Sequence, residues 1–129
     1  MTCLVSSCLY GIQCRWHGKK VPIPKTIKQI KEPIIHACPE MLGGLPCPRP
    51  PVKRKGDQIF ETCINRWDRK NVTGKELTKA FKEGAYKTLI LCAEHDINTA
   101  YLCRWSPSCD RNGITGKLLI RYGIEVINV

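Results

Sequence analysis

The sequence predicts one α/β domain: a Rossmann-like, mostly parallel sheet flanked by helices, with a small β-ribbon insertion. Short apolar runs alternate with helical patterns along the chain, which is typical of parallel βαβ units. The apolar fraction of 43% and the charged fraction of 25% are those of an ordinary globular protein. A chain of 129 residues is long enough for one hydrophobic core. We therefore expect residues 1–129 to fold as a single domain.

The core strands are predicted from four short apolar runs, at residues 2–7, Ile34–Ala37, Thr99–Cys103 and Ile124–Val129. A short helix over Lys25–Lys31 fits the spacing of Ile27 and Ile30, which lie three residues apart on one face. In open parallel sheets, ligands bind beyond the carboxyl ends of the strands. The predicted site therefore lies where these strands end, although the order of the strands does not follow from the sequence.

The clearest helical pattern runs from Leu77 to Cys92, where apolar residues recur every three or four positions. Thr73 and Glu76 precede it with the spacing of a capping box, so we expect Thr73 to be the N-cap. The helix should end near residues 94–96. Residues 58–73 are predicted to form the β-ribbon, with a turn near residues 68–71.

A shorter helix is predicted near the C-terminal end of the sequence. Thr115 is placed to cap it, and Gly123 follows its expected last residue, Tyr122. This helix would connect the third core strand to the last one.

The net charge of +10 suits an anionic partner such as RNA, a nucleotide or a membrane surface. The basic clusters carry no interleaved aromatic motif, so we interpret them as solvated faces and keep RNA contact as an open alternative. No apolar run approaches the roughly 20 residues of a membrane helix, and no signal-peptide pattern is visible. We expect a cytoplasmic protein without a membrane partner, either a monomer or a homodimer.

Nine cysteines are present, without any Cys-x-x-Cys pair. In a reducing cytosol, cysteines in loops are more often metal ligands or catalytic groups than disulfides. Cys8, Cys38 and Cys109 each follow a predicted strand, so we predict that they converge on one metal site. Their soft thiolates suit either zinc with a bound water or an iron–sulfur cluster. Reserve ligands are Cys14 and Cys47, and core roles are predicted for Cys3, Cys63, Cys92 and Cys103.

The segments around these three cysteines resemble the signature blocks of the thiouracil desulfurase family. The blocks are Val5-Ser6-Ser7-Cys8-Leu9-Tyr10-Gly11, then Cys38-Pro39-Glu40-Met41-Leu42-Gly43-Gly44-Leu45-Pro46 with Pro48-Arg49-Pro50-Pro51, and Ser106-Pro107-Ser108-Cys109. The resemblance spans nearly the whole chain and includes Asn71-Val72-Thr73 before the long helix. The chain departs from the family's usual pattern at Asp110-Arg111-Asn112-Gly113.

The resemblance implies a [4Fe–4S] cluster bound by Cys8, Cys38 and Cys109, with one iron that lacks a protein ligand. It also implies non-redox desulfuration of a thiolated nucleobase such as 2-thiouracil, which becomes uracil while its sulfur binds that iron. The family's acid/base carboxylate corresponds to Glu40 and its active-site serine to Ser106.

Two further serines are candidate substrate-binding residues. Ser7 precedes Cys8, and Ser108 precedes Cys109, so their hydroxyls can reach the base or the cluster sulfides. The alternative is that these serines only form turns. Two alternative functions stay open: a cluster-dependent sulfurtransferase in tRNA thiolation, and a non-enzymatic, cysteine-rich module that binds structural zinc.

Overall fold

The computed structural model describes residues 1–49, 51–62 and 73–129. Its strands are β1 (Cys3–Ser6), β2 (Ile34–Ala37), β3 (Val52–Lys55), β4 (Gln58–Thr62), β5 (Thr73–Glu76), β6 (Thr99–Leu102) and β7 (Glu125–Asn128). Its α-helices are α1 (Lys25–Lys28), α2 (Pro39–Leu42), α3 (Thr78–Glu94) and α4 (Ile114–Arg121), and a 3-10 helix covers Ser7–Tyr10. No helix in the described ranges is long and apolar enough to cross a membrane.

A four-stranded parallel sheet forms the centre of the fold, in the order β2-β1-β6-β7. Strand β1 is fully buried, because its residues Cys3, Leu4 and Val5 are all apolar and covered on both faces. The chain moves outward from β1 to β2 on one side and from β6 to β7 on the other. The strand order therefore reverses between β1 and β6, where open α/β sheets place their ligands.

The main core lies between this sheet and the helices. Helix α3 contributes Ala85, Thr88 and Cys92, and α4 contributes Leu119. The core role predicted for Cys92 agrees with its 1% exposure. Helix α3 ends at Glu94, within the predicted range, and Gly123 follows α4 with a positive φ of 83°.

A second sheet is antiparallel, with three strands in the order β3-β4-β5. It confirms the predicted ribbon and adds β3, which contains the basic run Lys53-Arg54-Lys55 with Lys53 and Lys55 exposed. Ile59 of β4 packs with Leu77 and Phe81 in a small apolar cluster that joins this sheet to α3. The turn predicted near residues 68–71 and the core role predicted for Cys63 lie outside the described residues.

The capping box predicted at Thr73 is wrong. Residues Thr73–Glu76 form β5 and pair with β4, because the ribbon takes up this segment before the helix can begin. Helix α3 instead starts at Thr78, whose hydroxyl accepts a hydrogen bond from the Ile59 backbone N–H at 2.9 Å.

The cap predicted at Thr115 is also wrong. Gly113 occupies the N-cap position of α4, and Thr115 lies inside the helix with its hydroxyl fully buried against Ser108. Helix α1 is shorter than predicted and ends at Lys28. Strands β1 and β6 end one residue before the predicted limits of residues 7 and 103, because the chain turns there into the cysteine-bearing loops.

Candidate functional site

A cavity of about 460 Å³ lies at the carboxyl ends of β1, β2 and β6. The three predicted ligands, Cys8, Cys38 and Cys109, all line it, although they are far apart in sequence. The structure therefore brings together the loops that follow three neighbouring strands. The predicted catalytic residues Glu40 and Ser106 line the same cavity.

Two further thiols, Cys14 and Cys103, also line the cavity. Cys14 is one of the two predicted reserve ligands, and the core role predicted for Cys103 agrees with its place in the main apolar cluster. Cys103 is 9% exposed and ends up beside the site because β6 stops at Leu102. Cys47 does not line the cavity, and its thiol donates to the backbone carbonyls of Gln13 and Arg15.

The thiols do not have the same electrostatic surroundings. Hydrogen bonds with Cys103 and Cys14 lower the pKa of Cys8, and the Arg15 guanidinium adds to this effect. A hydrogen bond with Cys14 lowers the pKa of Cys38 to about 7. Burial raises the pKa of Cys109 to about 12, against a hydrogen bond from Ser6. The first two positions thus favour a thiolate even without a bound cation.

The loop that carries Cys109 is held from two sides. The Ser106 hydroxyl oxygen accepts hydrogen bonds from the backbone N–H groups of Ser108 and Cys109, at 3.2 and 3.1 Å. On the other side, the Asn128 side chain donates to the Cys109 carbonyl at 3.2 Å. Ser6 donates to the Cys109 sulfur at 3.5 Å. These contacts fix both the backbone and the thiol of this predicted ligand.

Glu40 lies in the first turn of α2, two residues after Cys38. Its carboxylate forms an ion pair with Arg49, and the two side chains are only 13% and 6% exposed. Burial raises the pKa of Glu40, and the charge of Arg49 opposes that rise. Arg49 also donates to the carbonyls of Cys14 and Pro46, at 2.9 and 3.2 Å. The guanidinium therefore connects Glu40 to the first cysteine loop.

The two serines predicted to bind substrate are placed differently. Ser7 lines the cavity, and its hydroxyl hydrogen bonds to His36 Nδ1 at 3.0 Å. Ser108 is fully buried outside the cavity lining, and its hydroxyl hydrogen bonds to Thr115 at 2.8 Å. The structure does not bring Ser108 together with the other predicted site residues.

Arg15 also points into the cavity. Its Nη2 donates to the Cys103 sulfur at 3.0 Å, while its buried Nε has no hydrogen-bond partner among the described residues. Sequence reasoning missed this residue, because its partner lies 88 positions away. It also missed Ser6 and left the role of Arg49 undecided. The one available signal was that Ser6 and Arg49 fall in the segments that carry the resemblance, whereas Arg15 lies four residues after the first of them.

The donor chemistry of the cavity fits an iron–sulfur cluster. Its predicted ligands are thiols, which iron–sulfur clusters prefer. The Arg15 guanidinium lines the same cavity, donates to the Cys103 sulfur, and has a further N–H without a partner among the described residues. Within the described residues, no three His, Cys, Asp or Glu side chains are grouped so that they could hold a metal ion. The three predicted ligands are therefore not gathered around one ion, whereas a cluster binds each cysteine to a different iron.

Comparisons with known proteins agree with this chemistry. A family model described as 2-thiouracil desulfurase matches residues 3–128. The uncharacterized protein YbbK of Bacillus subtilis (strain 168) is 33% identical over 141 residues, which cover 97% of this chain and 93% of that protein. Among solved structures, the [4Fe-4S]-dependent thiouracil desulfidase TudS is 30% identical, with a TM-score of 0.83. That match covers 98% of this chain and 89% of the solved one, and it confirms the predicted fold.

Proposed function

The chain belongs to the 2-thiouracil desulfurase family, and from this premise we propose that it removes sulfur from a thiolated nucleobase such as 2-thiouracil. The observation that carries the proposal is the convergence of Cys8, Cys38 and Cys109 on the cavity that also contains Glu40. A soft metal centre and a buried carboxylate are the two components that such a reaction needs.

The cofactor is a [4Fe–4S] cluster, as in the structurally similar desulfidase. We assign its ligands to Cys8, Cys38 and Cys109. When bound through three cysteines, the cluster supplies an iron without a protein ligand, a soft Lewis acid that suits a thiocarbonyl sulfur. Ser6 donates to the Cys109 sulfur and Arg15 contributes positive charge near Cys8, so both residues stabilise thiolate ligands.

Glu40 is proposed as the general acid/base. Replacing the sulfur by oxygen breaks a C=S bond and forms a C=O bond from water, so protons must move although no electrons are gained or lost. Glu40 is held at the cavity wall by Arg49, and its raised pKa brings it closer to the pH at which it can both accept and release a proton. Arg49 keeps the carboxylate oriented and prevents its charge from being isolated.

The serine roles follow from their hydroxyl groups. Ser106 uses its oxygen to hold the Cys109 loop, and its remaining O–H can donate to the base in the cavity. Ser7 lines the cavity beside Cys8 and is proposed to contact the substrate. For Ser108, the contact with Thr115 supports a structural role in positioning the loop.

RNA is the alternative partner, and a tRNA sulfurtransferase is the alternative function. Trp105 is 85% exposed at the mouth of the cavity, next to the exposed Arg104, and an exposed indole beside a cation can stack on a nucleic-acid base. Binding of tRNA that weakens steeply with salt, together with thiolation of that tRNA, would favour this alternative over desulfuration of a small base.

The first test is anaerobic reconstitution with iron and sulfide, followed by iron counting and an absorption spectrum. Wild type and the control Cys92→Ala should hold about four irons, whereas Cys8→Ala, Cys38→Ala and Cys109→Ala should lose them. Cys92 is a suitable control because it is buried in α3 and does not line the cavity. One zinc and no iron in wild type would contradict the proposal.

The second test measures turnover of 2-thiouracil to uracil and hydrosulfide. Glu40→Ala should abolish turnover while the iron content stays at the wild-type level. Full activity in Glu40→Ala would remove this residue from the mechanism and leave the cluster assignment intact.

A further inference from the structure

Three arginines line the described part of the cavity, and they differ in what they bind. Arg49 is engaged by the Glu40 carboxylate and two backbone carbonyls. Arg104 is exposed and donates to the Asn128 carbonyl. Arg15 alone of these three donates to sulfur, through its Nη2 and the thiol of Cys103. The three guanidinium groups therefore engage different sets of acceptors.

The position of Arg15 is defined by thiols. Its Nη2 donates to the Cys103 sulfur at 3.0 Å, and Cys8 and Cys14 line the same cavity. Its Nε is buried and unpartnered among the described residues. A buried N–H without an acceptor is costly, so such groups in native proteins usually await a ligand or an ordered water. The guanidinium therefore keeps unused donor capacity beside the thiols that line the cavity.

We propose that Arg15 is a positioning residue for sulfur: its guanidinium donates to the sulfur atom that leaves the substrate as hydrosulfide. This inference rests on the proposed function. In that reaction the oxygen of water forms the new C=O bond, and the C–S bond breaks with its electron pair on sulfur. Of the two protons of the water, one ends on sulfur, which gives hydrosulfide, and the other passes through Glu40 to solvent. Arg15 retains its proton throughout, because a guanidinium stays charged in proteins. It stabilises the anionic sulfur by a charge-assisted hydrogen bond.

The two products differ in whether they can accept this hydrogen bond through sulfur. Uracil carries no sulfur, whereas hydrosulfide presents an anionic sulfur to which the Arg15 guanidinium can donate. Loss of Arg15 should therefore weaken the binding of hydrosulfide without weakening the binding of uracil. A residue with a purely structural role would not produce this difference.

The test is a titration of anaerobically loaded protein with sodium hydrosulfide, monitored by the absorption spectrum, beside a titration with uracil monitored by calorimetry. Arg15→Gln should bind hydrosulfide about 10- to 100-fold more weakly, the range for one hydrogen bond to a charged group. Arg121→Gln, an exposed residue of α4, removes the same charge and should bind hydrosulfide like wild type. Unchanged hydrosulfide binding in Arg15→Gln would overturn the inference.

Two further variants keep the test decisive. If Arg15→Gln does not retain the cluster, Arg15→Lys replaces it in the same titrations. This variant keeps the positive charge but loses the planar arrangement of N–H donors. Cys103→Ala removes the thiol partner of Arg15 and should retain hydrosulfide binding. An equal loss in Cys103→Ala would show that Arg15 acts only by fixing Cys103, and would overturn the inference.

Failure of this inference can be distinguished from failure of the proposed function. Wild type without desulfuration of 2-thiouracil would overturn the proposed function and this inference with it. Wild type with normal desulfuration, accompanied by Arg15→Gln with normal hydrosulfide affinity, would overturn the inference alone.

Discussion

The Cα atom of Gly84 in α3 lies directly against the carbonyl group of Pro39 in α2. A Cβ atom at Gly84 would overlap the Pro39 oxygen, and one at Gly43 would overlap the carbonyl oxygen of Ala80. The two helices thus pack backbone to backbone, and glycine is required on both sides of the contact. Because α2 begins immediately after Cys38 and contains Glu40, this contact sets the position of one wall of the site.

We expect Gly84→Ala to destabilise the protein by about 1–3 kcal/mol, since the added methyl group overpacks the contact and pushes α2 away from α3. Displacement of α2 should also lower iron content and turnover. Urea unfolding at equilibrium measures the first effect and iron counting the second. Lys82→Ala, on the exposed face of the same helix, is the control and should behave like wild type. Equal stability of Gly84→Ala and the control would contradict the packing argument.

The parallel sheet and its cysteine loops could be predicted because local patterns specify them. Strand β2 has the predicted limits, and the ends of β1 and β6 differ from prediction by one residue. Cys8 and Cys38 follow such strands closely, so their convergence follows from the parallel arrangement alone. The strand order could not be derived, because it depends on which strands pair rather than on any one segment.

The errors arose where tertiary pairing decides the local structure. Thr73 and Glu76 have the spacing of a capping box, but pairing with β4 is the stronger determinant and places both residues in a strand. Pairing with β4 likewise makes the basic run Lys53-Arg54-Lys55 part of β3, where Lys53 and Lys55 stay exposed. Arg15 and Cys103 could not be paired from the sequence, because only the assembled sheet brings their loops together.

Arg49 should be essential for stability because it neutralises a buried carboxylate. Arg49→Met leaves Glu40 without its partner, and breaking such a pair from one side typically costs about 3–5 kcal/mol. Thermal and urea unfolding of the loaded protein measure this loss. Arg104→Met removes an exposed arginine from the same cavity and should lower the free energy of unfolding much less.

The loss of stability in Arg49→Met should depend on pH in a defined direction. Burial already raises the pKa of Glu40 above the ordinary value of 4.5, and removal of the Arg49 charge raises it further. A carboxyl with a raised pKa in the folded state binds its proton more tightly there than in the unfolded state, so stability falls as pH rises through the window above 4.5. The free energy of unfolding of Arg49→Met should therefore be lowered least in acid and most near neutral pH. A loss that is independent of pH would show that Glu40 does not carry the effect.

Ser106 and Ser108 should respond differently to the same substitution. Ser106→Ala leaves two backbone N–H groups of the cysteine loop without their acceptor, so we expect lower iron content and a large fall in turnover. Ser108→Ala removes a buried hydrogen bond to Thr115 and should lower the free energy of unfolding by about 1 kcal/mol. The KM for 2-thiouracil should stay at the wild-type value in Ser108→Ala. A raised KM in that variant, with unchanged stability, would support the substrate contact first predicted for Ser108.

Asn128 of β7 is the remaining support of the Cys109 loop. Its amide group donates to the carbonyls of Leu102 and Cys109, at 3.3 and 3.2 Å, and its side-chain oxygen accepts from the Arg111 N–H at 2.9 Å. Asn128→Asp keeps the size and the acceptor but loses both donors. The two carbonyls would then face a carboxylate, which should lower the free energy of unfolding by about 1–3 kcal/mol. The loaded protein should also lose its iron faster.

The decay of the cluster absorption under a chelator provides the measurement for Asn128→Asp. Glu125→Ala, an exposed residue of the same strand, is the matched control and should release iron at the wild-type rate. A faster release confined to Asn128→Asp would show that the last strand secures Cys109 through contacts with its backbone. Equal rates in both variants would mean that Ser6 and Ser106 hold Cys109 without help from β7.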